Sequence, residues 1–206
     1  MKVGDIKIEA LRLMFAEVDA RITAENLADY EYTDRLGDYL QAMPGSLNRC
    51  LSNIVSRRIL PVKSQEIKLS EGERRHSTYR FDLSKIADLY DVARIVSEAD
   101  NGYDGDYPFR MEGKILVLLA PDEHASFTLL YYPTIPEVRY NSDEVELPDE
   151  IAQIIPYFIK GELFREDEVG DAAEAMSWYE QRIADLEGMR TEKQSKVSSV
   201  YAQVML

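Results

Sequence analysis

Cysteine is almost absent from the chain. Cys50 is the only one, which excludes an internal disulfide framework and fits folding in a reducing cytosol. Histidine is nearly as scarce. His76 and His124 each fall in a polar turn with no Cys or second His at ligand spacing, which argues against zinc. No stretch reaches the roughly eighteen consecutive apolar residues of a membrane span. The opening, MKVGDIKIEALRLMFAEVD, carries acidic residues within its apolar part and no small-residue cleavage site, so it does not read as a secretory signal. No Gly-rich phosphate loop follows a strand pattern, and no Gly-x-Ser-x-Gly elbow occurs. Internal repeats and low-complexity tracts are missing as well.

Basic charge is also in short supply. Lys and Arg total 24 against 38 Asp and Glu, a net −14, whereas a protein that grips phosphates needs basic clusters. The acid excess favours solubility. It is equally compatible with a surface that nucleic acid passes without sticking, and composition does not separate the two.

What the chain does have is an ordinary globular mix, 45% apolar and 30% charged over 206 residues. That is enough for an adequate core, in one domain or in a domain carrying an insertion. Its most strongly patterned stretch runs from Glu146 to Met189. Leu147-Pro148-Asp149-Glu150 reads as a helix start, with proline in the first turn and two carboxylates facing the positive end of the dipole. Ile151, Ile154, Ile155, Phe158, Ile159 and Leu163 follow at helical spacing, and Pro156 inside that stripe is expected to bend the helix. After the polar break Arg165-Glu166-Asp167-Glu168, Asp171 opens a second helix with Ala172, Ala175, Met176, Tyr179, Ile183 and Leu186 on one face. Together they predict a helical hairpin whose apolar stripes are core.

The first third is helical too. Asp5 precedes Ile6, Ala10, Leu11, Met14 and Val18; Thr23 with Asn26 is expected to cap a short second helix; Thr33-Asp34 starts a third through Leu36, Tyr39 and Leu40. Met43-Pro44-Gly45-Ser46 reads as a turn capping a fourth helix, Leu47 to Arg58. Cys50 lies on the apolar stripe of that helix, as a small core residue and not a nucleophile.

Past Pro61 the period changes. Ile67-Lys68-Leu69 and Tyr79 to Leu83 alternate, Leu89 to Glu98 reads as a strand, and Glu71 to His76 reads as an exposed turn. KILVLLA (114–120) and SFTLLYY (126–132) are expected to be strands buried on both faces, or nearly so, joined as an antiparallel pair. The expected fold is therefore α+β: a mainly helical bundle formed by N- and C-terminal helices with an inserted antiparallel β module. Its expected divisions are 1–60 for the N-terminal helices and 61–145 for the β module. They continue with 146–190 for the hairpin packing on those helices and 191–206 for a C-terminal arm.

One loop suggests chemistry. Asp100-Asn101-Gly102-Tyr103-Asp104-Gly105-Asp106 gathers three carboxylates on a turning backbone, the oxygen-rich setting a calcium ion prefers. It lacks the spacing of a helix–loop–helix calcium site and a bidentate glutamate at the required offset, so it reads as a strand-connecting turn. Asp100, Asp104 and Asp106 are kept as weak metal candidates; no catalytic set and no cofactor site is expected. A small hydrolase or metal-binding enzyme using this carboxylate cluster is the alternative to a non-enzymatic protein.

The order of features resembles the head–tail connector proteins of tailed bacteriophages, the adaptor or tail-tubular proteins below the portal. The resemblance rests on the opening ALRLMF, on YRFDLSKIADLYDVARI and SFTLLYYPTIPEV, and on LPDEIAQIIPYFIKGELFREDE with WYEQRIADL. Together these span most of the chain, each as a loose pattern. The resemblance implies a non-catalytic virion protein, made in the host cytoplasm, whose helical core packs against neighbouring copies in a ring while a β module projects. The implied partners are further copies of itself, the portal, tail proteins and passing DNA without sequence-specific binding; no membrane is implied.

The chain closes on KQSKVSSVYAQVML, where the acidic character vanishes after Gly188. Val197, Val200, Tyr201, Val204 and Leu206 fall at helical spacing beyond the hairpin. Two readings stand: the segment folds back on its own bundle, or it is an arm that orders against a neighbouring copy or the portal.

Overall fold

The apolar stripe of the opening residues forms α1, Val3–Met14, which buries Val3, Ile6, Ala10, Leu11 and Met14 in the computed structural model. The structure describes residues 1–15, 18, 21–30, 34–98, 104–119 and 126–204, and for 34, 35, 98, 104, 105, 126 and 190–204 the backbone alone. Asp5 sits in the first turn of α1 and does not cap it; the N-cap is Lys2, with no side-chain hydrogen bond. Val18 falls outside this helix, because Phe15 turns extended. Where a short helix was expected at Thr23, the Asn26 side chain accepts from the Thr23 N–H at 2.7 Å, and a single 3₁₀ turn follows at Leu27–Tyr30.

α2 runs unbroken from Asp34 to Ser56. The expected turn at Met43–Ser46 is therefore overturned: Pro44 lies inside the helix. An interior proline costs about 3 kcal/mol. Against it, Tyr39, Leu40, Met43, Leu47, Cys50, Leu51 and Ile54 are all buried on one stripe. At roughly 1.5–3 kcal/mol for each large side chain, docking both halves on the same core outweighs the lost hydrogen bond.

Pro156 acts as a break and not a bend. α3, Asp149–Ala152, ends two residues before α4, Ile155–Leu163, which takes Pro156 into its first turn, where the missing N–H is no loss. Along this stretch Ile151, Ile154, Ile155, Ile159 and Phe164 are buried, with Phe158 and Leu163 half-buried. α5 then spans Val169–Val204 as one helix, packed on α4 so closely that a Cβ at Gly161 would lie 3.1 Å from Met176 and 3.2 Å from the Ala172 carbonyl oxygen.

These helices belong to one compact unit, Met1–Ile59 with Ile135–Leu206; the second unit is Leu60–Thr134. The segment from Ile135 to Val145, attached to the β module in the sequence reading, belongs to the first unit. Asn48 both donates to the Val138 carbonyl at 2.8 Å and accepts from its N–H at 2.9 Å. Val3 and Gly4 donate to the Asp143 and Asn141 carbonyls at 2.9 Å.

The second unit holds two antiparallel four-stranded sheets. β1 (Lys63–Ile67), β4 (Leu89–Glu98), β5 (Asp104–Asp106) and β8 (Ser126–Pro133) form one in the order β1-β8-β4-β5. β2 (Glu73–Arg75), β3 (Thr78–Asp82), β6 (Phe109–Glu112) and β7 (Ile115–Leu119) form the other in the order β2-β3-β7-β6. Their inner faces share one core, with Ile67, Ile95, Phe127, Leu129 and Tyr131 from the first sheet and Phe81, Leu116 and Leu118 from the second.

The strands at 115–119 and 126–133 are therefore not partners. β7 pairs with β3 and β6, and β8 with β1 and β4. The presumed turn at Glu71–His76 instead contains β2, turning into β3 at His76 with φ 56°. Gly113, at φ 63°, supplies the left-handed residue for the β6–β7 turn. β7 is buried on both faces, as its unalternating sequence implied; β8 buries Phe127, Leu129 and Tyr131 and half-buries the residues between them. On the outer face Val117 is covered although no third layer is needed. Arg80 and Arg110 sit opposite it in register on either side, and both reach Glu112, at 2.5 and 2.7 Å. Their aliphatic stems account for the cover.

Candidate interaction site

Of the three carboxylates in the candidate metal loop, only the Asp106 side chain is among the described residues. Asp100 lies outside them, and of Asp104 only the backbone, in β5, is described. Asp106 is also in β5, opposite Val96, and its carboxylate pairs with Arg94 at 2.9 Å. A pairing cation on the neighbouring strand competes with a metal for the same oxygen. Among the described residues no group of three or more His, Cys, Asp or Glu side chains is placed to hold a metal ion. His124 lies outside the described residues.

The chemistry that does gather lies along α5. Tyr179 is wholly buried, its hydroxyl donating to Asn53 Oδ1 at 3.0 Å and accepting from Cys50 Sγ at 3.8 Å. Burial raises the pKa of both groups, making the Cys50 thiol and the Tyr179 phenol weaker acids alike. A thiol held neutral and sealed off is a poor nucleophile, so Cys50 packs and does not react. One turn on, Arg57 at the end of α2 pairs with Glu180 at 2.9 Å and with Glu187 at 3.4 Å. At the other end Tyr39 donates to the Asp167 carboxylate. α2 thus accompanies α5 from its approach loop to Glu187 and stops there.

The outer side of the hairpin carries a group that the sequence reading missed. Tyr157 on α4 and Trp178 on α5 stack at 3.7 Å between centroids, and the Arg182 guanidinium lies 5.8 Å from the Trp178 ring. All three keep some exposure. The available signal was the sole tryptophan, placed one residue from the core-facing Tyr179.

Beside this group the α4–α5 contact leaves an open groove of about 340 Å³, lined by Gly161, Glu162, Arg165, Val169, Ala172, Ala173 and Met176. Val169 is 68% exposed there. Glu162 accepts from Arg49 at 2.6 Å through one oxygen, while its other oxygen, Oε2, is buried with no hydrogen-bond partner. A second, more polar depression of about 880 Å³ surrounds the amino terminus, with Lys2, Asp5, Glu25 and Glu144 on its walls.

Of the expected interaction residues, Val197, Val200, Tyr201 and Val204 have backbone within α5, and Leu206 lies outside the described residues. The segment continues the hairpin helix without a break. The fold and site together define an α+β chain of two units whose longest element carries the polar cluster, the aromatic stack and the groove. No family model matches the sequence, and no curated protein matches it.

Proposed function

We propose that the chain is a structural, ring-forming virion protein, a head–tail connector that sits below the portal of a tailed bacteriophage and continues the DNA channel to the tail. One observation carries the reading: both chain ends supply the helical unit, and a β-rich unit, Leu60–Thr134, is inserted between them. That is the arrangement the resemblance to connector proteins implies. The net charge of −14 suits a channel component that must let DNA pass without holding it. No described helix is long and apolar enough to cross a membrane. The role is assembly in the particle, without catalysis.

Mass in solution tests it. Sedimentation velocity and negative-stain imaging of the purified chain, alone and mixed with a portal protein of the same particle, are expected to reveal a closed ring or a ring captured on the portal. A chain that stays monomeric with and without portal overturns the reading.

A further inference from the structure

We propose that the basic end of α5 in one copy docks in the α4–α5 groove of the next, joining copies head to tail; this rests on the ring-forming reading and names the contact that would build the ring. The first observation is charge. Residues 190–206 hold Arg190, Lys193 and Lys196 against Glu192 alone, so this segment is +2 inside a chain of −14. The groove lining itself balances Glu162 against Arg165, and the exposed residues around it, Glu166, Glu168 and Glu174, have the opposite sign to the basic end. Glu162 adds a carboxylate to the groove wall, one oxygen paired with Arg49 and the other, Oε2, buried without a hydrogen-bond partner.

The second observation is pattern and length. Ile183, Leu186, Arg190, Lys193, Val197, Val200 and Val204 recur at alternating steps of three and four along one continuous helix. They therefore continue the face that α5 buries through Tyr179 and Ile183. Burial fades along this face, from Ile183, wholly buried, to Leu186, half-buried. α2 ends opposite Glu187, and α5 goes on for about 26 Å at 1.5 Å per residue. Pairing two such ends as a coiled coil would set Arg190 and Lys193 against their own copies, which like charge disfavours.

The third is geometry. The α5 side of the groove and the basic end belong to the same helix, and Ala173 and Val204 stand about 47 Å apart along it. A copy cannot fill its own groove, so the contact is between copies. It is heterologous, and such contacts close into rings or run on as filaments.

Two complementary variants of the full chain provide the test. Ala173→Arg puts bulk and positive charge into the groove at an exposed helical position; stopping the chain after Met189 removes the basic end. Each variant alone is expected to sediment as a monomer at concentrations where the parent associates. Mixed, they are expected to form a one-to-one heterodimer, the truncated chain accepting the end that the other still carries, and the heterodimer is expected to weaken as salt rises. A mixture that stays monomeric, or either variant associating like the parent, overturns the proposal. Pairing by the ends alone would show itself by leaving Ala173→Arg associated and the truncated chain excluded. If truncation unfolds the protein, Lys193→Glu/Lys196→Glu in the full chain replaces it as the donor-deficient partner. Rings that persist in the truncated chain sink the contact but not the connector reading; a heterodimer without any parent ring does the reverse.

Discussion

Replacing Tyr179 by Phe isolates the polar centre of the helical unit. The ring keeps its edge-on contact with Phe158, at 5.0 Å between centroids, and only the hydroxyl is lost. That hydroxyl donates one hydrogen bond, to Asn53 Oδ1 at 3.0 Å. A neutral hydrogen bond is worth about 1 kcal/mol net, and an acceptor left wholly buried and unpaired costs about 1–3 kcal/mol more. Asn53 is half-buried, so water can reach it, and the expected loss is about 1–1.5 kcal/mol. Tyr179→Ala also empties the site and is expected to cost about 3–5 kcal/mol.

Trp178 is the only tryptophan and adjoins the mutated residue, so its fluorescence during urea unfolding reports this unit. The midpoint should fall for Tyr179→Phe with the slope unchanged. A double-mutant cycle with Asn53→Ala should show coupling of about 0.5–1 kcal/mol. Zero coupling, or a Phe variant as damaged as the Ala variant, would refute the assignment. The pH dependence gives a further sign. Burial, then the neighbouring Cys50, raises the phenol pKa in the fold. Its contribution is therefore full below the unfolded value of about 10 and is lost as pH rises beyond it. Tyr179→Phe should lack that share of the alkaline loss.

Ile155→Ala, at a wholly buried position, is expected to destabilise by about 2–5 kcal/mol, and Phe158→Ala, half-buried, by an amount near the low end; equal stability of either with the parent in a thermal melt removes that residue from the core. A thiol reagent should leave Cys50 unmodified in the folded chain and label it at the rate of unfolding, because the thiol is sealed and its ionisation suppressed. Lys63, hydrogen-bonded to Asp88, and the Tyr131 hydroxyl hold the Asp88 pKa below its usual range. The stabilisation is present above about pH 4 and fades as pH falls through the folded value, so Asp88→Asn should flatten the acid limb of the melting curve, and an unchanged limb counts against the pair. Added calcium is expected to leave the melting temperature where it is; a rise that tracks concentration and disappears in Asp104→Ala would revive the loop as a metal site.

Periodicity made much of this fold readable. The strand Leu89–Glu98 and the start of the last helix near Asp171 were legible because a side-chain period is a local property that burial imposes directly. Pairing is not local. The runs at 115–119 and 126–133 look like one hairpin, yet each finds its partners elsewhere, β3 and β6 for the first and β1 and β4 for the second. Apolar content shows that a strand is buried, not which sheet buries it. Short strands such as Glu73–Arg75 and Asp104–Asp106 bury too little to leave a pattern, and polar composition made them look like turns. Lys7 escaped for the opposite reason: it is 2% exposed, and nothing in its spacing distinguishes it from a solvated lysine.

The end of the chain shows how a boundary in chemistry differs from one in backbone. Gly188 and the change from acidic to basic composition mark a division in the sequence, yet the helix runs through both. A glycine inside a helix costs only about 1 kcal/mol relative to alanine. The residues around it, Leu186, Glu187, Met189 and Arg190, are good helix formers, so there is no reason for the backbone to stop. Charge, by contrast, is a property of the surface and switches sign at that point without any structural consequence inside the chain. In the proposed docking its consequence lies outside the chain: a groove with acidic surroundings at the start of α5 and a basic end of the same helix, too far apart to meet in the same copy, each take a partner of the opposite kind. Under that proposal a second copy of the same helix supplies both.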